Sequence, residues 1–199
     1  MELEEVKDKL GKNQYNYFLQ IKEQIDLPLY FLGSITRCDY IKGKSDLDIE
    51  VFTDNFDSTI LKMEYLFDYY QRKRTRNFIV FKINNIPISG YKYYFKDKQR
   101  NICFDFTIYN KSSKNIVLHH RIIEKNLPYL LSLFLVMIKI LYYHLSIINN
   151  SIYSYIKKYF WKLYNPEKSI SNTLSEVEYI QYYNTQPNKE FLIKVKNKY

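Results

Sequence analysis

The spacing of hydrophobic and polar residues predicts a chain that mixes strands and helices, with helices dominating after residue 125. Apolar residues that recur every three or four positions predict helices, and short apolar or alternating runs between turn residues predict strands. The predicted helices span residues 2–24, 60–70, 127–148 and 152–164, with brief ones at 35–40 and 175–182. The predicted strands span residues 27–32, 46–52, 78–83, 86–95 and 101–109. At 199 residues the chain is long enough for one domain with its own core.

The most informative of these strands is 46–52, in which acidic and apolar residues alternate. Because successive side chains of a strand point to opposite faces, Asp46, Asp48 and Glu50 are predicted to share one face. Carboxylates held this close repel one another, and leaving them buried and unpaired costs on the order of several kcal/mol. A divalent cation removes that cost, so the pattern predicts a metal site at the edge of a packed sheet. Glu50 is either an outer ligand of this site or the partner of a surface lysine, which is the favoured interpretation.

A further acid, Asp105, stands among large apolar residues in strand 101–109. It shares its predicted face with Cys103 and Thr107, whereas the phenylalanines and isoleucines between them point the other way. An isolated acid at such a position is unusual unless it has a specific role. Asp105 is therefore a candidate for the same site as the first two aspartates.

The order Leu32-Gly33-Ser34, eleven further residues and then Asp46-Leu47-Asp48 resembles the signature of the nucleotidyltransferase fold. DNA polymerase β, the poly(A) polymerases, the oligoadenylate synthases and small bacterial transferases share this fold. Its members carry a third carboxylate on a later strand, and Asp105, 57 positions after Asp48, matches that residue. The resemblance covers roughly residues 27–110.

The resemblance implies an α+β fold, in which a small mixed β-sheet is flanked by helices and followed by a C-terminal helical region. It implies a catalytic domain over residues 1–115 and, over residues 116–199, a helical region that covers the nucleotide cleft. The implied activity transfers a nucleoside monophosphate from an NTP such as ATP to an acceptor hydroxyl and releases pyrophosphate. An RNA or DNA 3′ end is the favoured acceptor.

By the same resemblance, Asp46, Asp48 and Asp105 are the catalytic and metal-binding residues, with Mg²⁺ or Mn²⁺ as the cofactor. Two metal ions about 3.5–4 Å apart serve both the attacking and the leaving oxygen in enzymes that use them, and Asp105 assists deprotonation of the acceptor. Gly33 lets the backbone approach a phosphate closely. Ser34 offers that phosphate its hydroxyl and its N–H.

The helical half carries a shorter resemblance. Lys139 lies in an apolar helix similar to the one whose lysine approaches the triphosphate in poly(A) polymerase-like and oligoadenylate synthase-like enzymes. Ser154 and Tyr155 resemble a Ser-Tyr pair whose hydroxyl reaches phosphate and whose ring stacks on the base. All three are predicted to bind nucleotide, although a snorkelling lysine and a chance pair among 22 tyrosines explain them equally well. Asp39 and Lys44, between the two halves of the motif, are either residues that reach the substrate or solvated loop residues, and the second interpretation is favoured.

The net charge of +9 and the pI of about 9.2 favour anionic partners, although the codon usage of an AT-rich genome explains much of this composition equally well. Only two cysteines and a charged N-terminus without a signal peptide predict a reduced, intracellular and cytoplasmic setting. The motif and the composition also resemble nucleotidyltransferases of large DNA viruses. A viral origin would place the protein in the host cell or the virion.

Three alternatives to this activity remain. The chain is also consistent with a catalytically degenerate member of the fold that binds or scaffolds, or with a transferase that modifies a protein or small-molecule hydroxyl. A third alternative is a membrane-associated factor anchored by residues 127–148, a stretch as long as a bilayer span. Lys139 within that stretch costs about 2.5–3.5 kcal/mol on insertion scales, so a buried core helix and no membrane partner are favoured.

Overall fold

The computed structural model describes residues 1–68, 76–83, 86–97, 102–164 and 168–173. Its α-helices are α1 (Lys12–Ile25), α2 (Phe56–Asp68), α3 (Lys114–Lys125), α4 (Tyr129–Tyr143) and α5 (Asn150–Tyr164). Its strands are β1 (Tyr30–Leu32), β2 (Leu47–Thr53), β3 (Arg76–Ile83), β4 (Ile86–Asp97), β5 (Ile102–Asn110) and β6 (Lys168–Thr173). Short 3₁₀ helices lie at Leu3–Lys9, Gly33–Thr36 and Lys111–Ser113.

The strands form one mixed sheet in the order β1-β2-β5-β4-β3-β6. β2 and β5 are parallel, and the other neighbouring pairs are antiparallel. Between β2 and β5 the chain runs through α2 and the β3–β4 hairpin, which gives the long connection that parallel neighbours require. The α+β class, the mixed sheet flanked by helices and the helical region after it are thus confirmed.

One face of the sheet packs against α1 and α2 and forms the main hydrophobic core. Alternate residues of β2 and β5, such as Ile49 and Phe104, point into this core and are fully buried. Phe18 of α1 lies edge-on to Phe104 and to Phe31 of β1, with ring centroids 5.3 Å apart in both pairs. Each such burial contributes about 1.5–3 kcal/mol relative to exposure, so a one-residue slip of either strand is strongly disfavoured.

The opposite face of the sheet packs against α3 through a second, smaller hydrophobic cluster. This cluster consists of Tyr30, Phe52, Ile83, Ile88, Tyr109 and Val117. Phe52 and Tyr109, which stack with centroids 5.8 Å apart, stand near the C-terminal ends of β2 and β5. The acids of these two strands lie closer to the N-terminal ends, on the same face and beyond the cluster.

The predicted N-terminal helices differ in detail from the observed ones. The predicted helix 2–24 is divided at Gly11 into a 3₁₀ helix and α1, because Gly11 is extended, with φ −77° and ψ 154°. The Gly11 N–H donates to the Gln14 side chain at 3.1 Å, which caps α1. The brief helix predicted at 35–40 is instead the 3₁₀ turn Gly33–Thr36.

The C-terminal half also departs from the predicted boundaries. The predicted helix 127–148 ends at Tyr143 as α4, and the chain then turns through Ser146 with a left-handed φ of 52°. None of the described helices is long and apolar enough to cross a membrane. β6 pairs with β3 through its backbone, and its polar sequence gave no strand signal. The short helix predicted at 175–182 lies outside the described residues.

Candidate functional site

The aspartates of β2 and β5 lie side by side on one face of the sheet. Asp48 and Asp105 are direct partners in the parallel register of these strands. Their face is the one opposite the main core, since the alternate residues of both strands fill that core. Asp46 immediately precedes β2, is exposed, and acts electrostatically on Asp105 together with Asp48. The structure therefore brings together the three acids that the sequence singles out.

Gly33 lies directly against Asp48. Its φ of 68° is left-handed, and a Cβ added to it would collide with the Asp48 carboxylate. The turn that starts at Gly33 is closed by the Thr36 hydroxyl, which donates to the Gly33 carbonyl at 2.9 Å, and it buries Ser34. Only glycine combines this backbone conformation with so close an approach. The Gly-Ser turn and the strand acids, eleven residues apart in the motif, thus form one local site.

Asp105 is partly buried, with charged side chains of both signs around it. Burial raises the pKa of its carboxyl, and the negative charges of Asp48 and Asp46 raise it further. The ammonium group of Lys92, on β4, opposes this effect from 2.5 Å. Lys92 had no signal in the sequence, because its proximity to Asp105 depends on the pairing of β4 with β5. The Lys92 ammonium group thus neutralises part of the negative charge of the site.

Cys103 lies beside Asp46 in the same site. Its sulfur is 3.0 Å from the Tyr94 hydroxyl, and it also shares a hydrogen bond with Asp46. Burial raises the pKa of Cys103 to about 11, and the nearby carboxylates contribute to the rise. Cys103 is therefore a protonated thiol at neutral pH rather than a thiolate, which is the form that binds metals.

The chemistry of the three carboxylates fits a hard divalent ion. Mg²⁺ is bound in proteins through oxygen, by one or two carboxylates together with substrate phosphates and water. Asp46, Asp48 and Asp105 offer oxygen ligands only, and they repel one another without a cation. Across the described ranges, however, no group of three or more His, Cys, Asp or Glu side chains is already arranged to hold a metal. The donor set suits the ion, and assembly of the full ligand set requires rearrangement.

Lys139, which was predicted to approach a triphosphate, is buried on α4 against the motif loop, residues 37–46, which leads to β2. Its Nζ donates to the backbone carbonyl of Asp39 at 2.7 Å and lies 3.0 Å from the Asp39 carboxylate. A third contact, of 3.2 Å, joins it to the Ser45 hydroxyl. Asp39 thus forms a buried ion pair with Lys139. Its prediction as a solvated loop residue is wrong. Lys44 is exposed.

The structure does not bury the predicted Ser-Tyr pair of α5. Ser154 is exposed, and Tyr155 retains 71% of its accessible surface. Their neighbour Tyr153 is buried instead, and burial raises its pKa to about 12, with the negative charges of Asp39 and Asp46 adding to the rise. The buried side of α5 is therefore the one that carries Tyr153. Its spacing of seven from Phe160, also buried, is the sequence signal that identifies this side.

Glu50 follows Asp48 on the same face of β2 but has a different environment. It is buried, and the Arg121 guanidinium of α3 donates to its Oε1 from two nitrogens, at 2.5 and 3.1 Å. Arg121 also donates to Glu124 at 2.6 Å. The interpretation of Glu50 as the partner of a surface lysine is therefore wrong, since its partner is a partly buried arginine 71 residues away.

Comparison of the chain with models of protein families, with curated proteins and with solved structures gives no match. Function is therefore inferred from the residues themselves and from how the fold arranges them. The central feature is a glycine turn set against Asp48, which has Asp105 as its register partner and Asp46 two residues before it.

Proposed function

We propose that this protein is a Mg²⁺-dependent nucleotidyltransferase of the nucleotidyltransferase fold, which transfers a nucleoside monophosphate from an NTP to an acceptor hydroxyl. The observation that carries the proposal is the pairing of Asp48 with Asp105 in the parallel β2–β5 register, with Gly33 packed on Asp48. A structural role gives no reason to place three acids together when one partly exposed lysine, Lys92, is their charged partner among the described residues. A site for a cation and a polyphosphate does.

In this proposal Asp46, Asp48 and Asp105 hold the divalent cation, which neutralises the triphosphate and its pyrophosphate leaving group when bound. The Gly33-Ser34 turn would receive a phosphate beside Asp48, against which only a glycine can pack so closely. The new bond joins the acceptor oxygen to the α-phosphorus, and the bond from that phosphorus to the pyrophosphate oxygen breaks.

Asp105 is the residue that we assign to the acceptor proton. Burial and the neighbouring carboxylates raise its pKa above the ordinary value, which makes it a better base than an exposed aspartate. Its partial burial, with 22% of the side chain exposed, still leaves it accessible to a hydroxyl group. The proton released by the acceptor is thus taken up by the Asp105 carboxylate as the oxygen–phosphorus bond forms.

A polynucleotide 3′ end is the acceptor that the surface charge favours. The chain carries a net charge of +9, and α5 exposes Lys157, Lys158 and Lys162. No aspartate or glutamate occurs between Glu124 and Glu167, so α4 and α5 carry no negative charge. A phosphodiester backbone is attracted to such a surface, and its attraction weakens with salt.

The test is divalent-dependent turnover of radiolabelled NTPs with RNA, DNA or the protein itself as acceptor. Asp48→Asn is expected to reduce turnover by about 10²–10⁴-fold, because it removes a ligand charge at the centre of the site. Asp54→Asn is the matched control: this acid follows the same strand, is exposed, and pairs only with the exposed Lys111 at 3.1 Å among the described residues. Equal turnover by the two variants would reject the proposal.

The contact of Lys92 with Asp105 supports one second candidate, a nucleotide-binding protein without catalysis. An internal ammonium group at 2.5 Å neutralises the acid that the proposed reaction needs as a base. Mn²⁺ titration with and without NTP separates the two. A binding protein saturates with the Mn²⁺–NTP complex and returns the NTP intact, whereas a transferase releases pyrophosphate.

A further inference from the structure

We propose that Lys139 is a positioning residue, which fixes Asp46 by clamping the motif loop to α4, and that it does not bind the triphosphate itself. This inference rests on the proposed function for its catalytic readout. The structural claim is that α4, in the helical half of the chain, determines where Asp46 lies at the start of β2.

The ammonium group of Lys139 is already fully occupied. An ammonium group has three N–H donors, and three acceptors surround this one: the Asp39 carbonyl at 2.7 Å, the Asp39 carboxylate at 3.0 Å and the Ser45 hydroxyl at 3.2 Å. The side chains of Lys139 and Asp39 are 7% and 1% exposed. A lysine that serves a mobile, solvated triphosphate is expected to keep at least one donor free, and this one does not.

Ser45 connects this clamp to the site, because it is the residue immediately before Asp46. Its hydroxyl oxygen accepts from the Ile41 N–H at 3.0 Å, so Ser45 is held both by its own loop and by Lys139. Asp46 precedes the first residue of β2 and is exposed, so the sheet register does not include it. Its position therefore depends on the loop that Lys139 holds, together with its hydrogen bond to Cys103.

Two further contacts tie the same loop to the helical half. Lys44 Nζ donates to the Tyr143 carbonyl at the end of α4, at 2.8 Å. Arg37 pairs with Asp39 through two nitrogens, at 2.8 and 3.2 Å, and its guanidinium carbon lies 5.2 Å from the centre of the Trp161 ring on α5. α5 thus contacts the motif loop near its start, at Arg37, and α4 contacts it near its end, at Lys44. The Lys139 clamp adds contacts at Asp39 and Ser45.

The charges of the clamp balance one another. Burial opposes ionisation of Asp39, but hydrogen bonds and charge from Arg37 and Lys139 outweigh it, so the pKa of Asp39 lies below its ordinary value. Burial lowers the pKa of Lys139, and Asp39 opposes that effect. If Lys139 left to bind a phosphate, Asp39 would keep only Arg37 as a charged partner within the described part of the chain. A buried carboxylate that loses a partner is costly, which favours a permanent clamp.

The experiment compares Lys139→Met, Asp39→Asn and the double variant with Lys42→Met. Lys42 is the matched control, because it is an exposed lysine of the same loop that also donates to a backbone carbonyl, that of Leu10, at 3.0 Å. The readouts are the Mn²⁺ dissociation constant without NTP, kcat, and KM for NTP. Because misplacing a metal ligand costs about 10–100-fold in metal affinity, both single variants are expected to lose that much Mn²⁺ affinity.

The two residues act as one unit in this proposal. The double variant is therefore expected to be no worse than either single variant, and KM for the NTP is expected to change less than about threefold in all of them. Lys139→Arg, which keeps the charge, is expected to recover part of the Mn²⁺ affinity and of kcat.

A direct phosphate contact predicts a different result. In that case Asp39→Asn leaves Mn²⁺ affinity and kcat at the wild-type level. Lys139→Met raises KM for the NTP and leaves Mn²⁺ affinity unchanged. This outcome overturns the proposal. If Lys139→Met does not fold by circular dichroism, Asp39→Asn and Ser45→Ala decide the question by the same readouts. A wild-type protein without NTP turnover rejects the proposed function, and the Mn²⁺ affinities still test the clamp.

Discussion

Two acids that are neighbours on one face of β2, Asp48 and Glu50, have opposite environments. Glu50 is 2% exposed and receives two hydrogen bonds from Arg121, which α3 supplies. Asp48 is partly exposed and faces another acid, Asp105, across the parallel register. The same strand thus carries one acid that the fold neutralises with arginine and one that it places beside further negative charge. This contrast separates a structural carboxylate from a candidate ligand.

The difference follows from which acid of β2 the arginine of α3 reaches. Arg121 lies next to the hydrophobic cluster that Tyr109 and Phe52 form, so it reaches Glu50 and Glu124 together. Burial opposes the charge on Arg121, but these carboxylates outweigh it and raise its pKa. The acids at the other end of the face have only Lys92 within ion-pair distance among the described residues. Their excess negative charge is what a divalent cation would relieve.

The largest expected effect comes from breaking the ion pair between Glu50 and Arg121. Arg121→Met removes the charged partner of Glu50 and Glu124 in a mostly buried setting, which typically costs about 3–5 kcal/mol in the free energy of unfolding. Urea unfolding followed by circular dichroism measures this loss. Mg²⁺ is not expected to restore it, because the acids concerned do not belong to the aspartate site.

The control for this prediction replaces the acid as well. Adding Glu50→Leu to Arg121→Met removes the more deeply buried of the two carboxylates that lose their arginine, and part of the lost free energy of unfolding is expected to return, while Glu124 remains uncompensated. A double variant as unstable as Arg121→Met alone would show that the arginine stabilises the fold by packing rather than by charge.

A smaller effect on stability, with a large effect on activity, is expected at Gly33. Gly33→Ala forces a side chain into a left-handed φ of 68° and against the Asp48 carboxylate, so we expect a loss of about 1–3 kcal/mol in the free energy of unfolding. Because Asp48 must move, NTP turnover is expected to fall as far as in Asp48→Asn. Urea unfolding and NTP turnover measure the two effects.

Gly43→Ala provides the comparison for Gly33→Ala. Gly43 has a similar left-handed φ, 75°, but is exposed in the motif loop. Gly43→Ala is expected to lower the free energy of unfolding through backbone strain, with little loss of NTP turnover. Equal turnover losses in the two variants would mean that backbone conformation, and not the contact with Asp48, accounts for the effect.

The sequence predicted the strand acids well because alternation is local. A period of two residues places Asp48 and Glu50 on one face of β2, and the same alternation in β5 places Asp105 beside Asp48. The register that makes Asp48 and Asp105 partners depends on which strands are neighbours, which no local pattern determines. The Gly-Ser spacing was informative only because a motif of known geometry contains it.

The partners of the charged residues were not predictable in this way. Lys139 and Asp39 are 100 residues apart, and Glu50 and Arg121 are 71 apart, so neither pair leaves a periodic signal. A lysine in an apolar helix indicates that some anion meets it but does not identify the anion. The apolar period of α5 did contain the information that Tyr153 faces inward, and the Ser-Tyr motif drew attention to its exposed neighbours instead.

The smallest expected effect concerns the partial neutralisation of the aspartate site by Lys92. Since the pKa of Asp105 lies above its ordinary value of 3.8, the folded protein binds this proton more tightly than the unfolded chain, and the free energy of unfolding falls as pH rises through that raised pKa. Lys92→Met removes an ion pair whose lysine is 38% exposed, worth about 0.2–1 kcal/mol, and moves this loss to higher pH. Mg²⁺ should then raise the melting temperature at pH 7 more in Lys92→Met than in the wild type, because the cation replaces the missing charge.

Lys111→Met, which breaks the exposed pair with Asp54, is expected to leave the Mg²⁺ response unchanged. A Mg²⁺ response that is the same in all three proteins would mean that the acids of β2 and β5 do not bind the ion together, and that the contrast between Asp48 and Glu50 is one of packing alone.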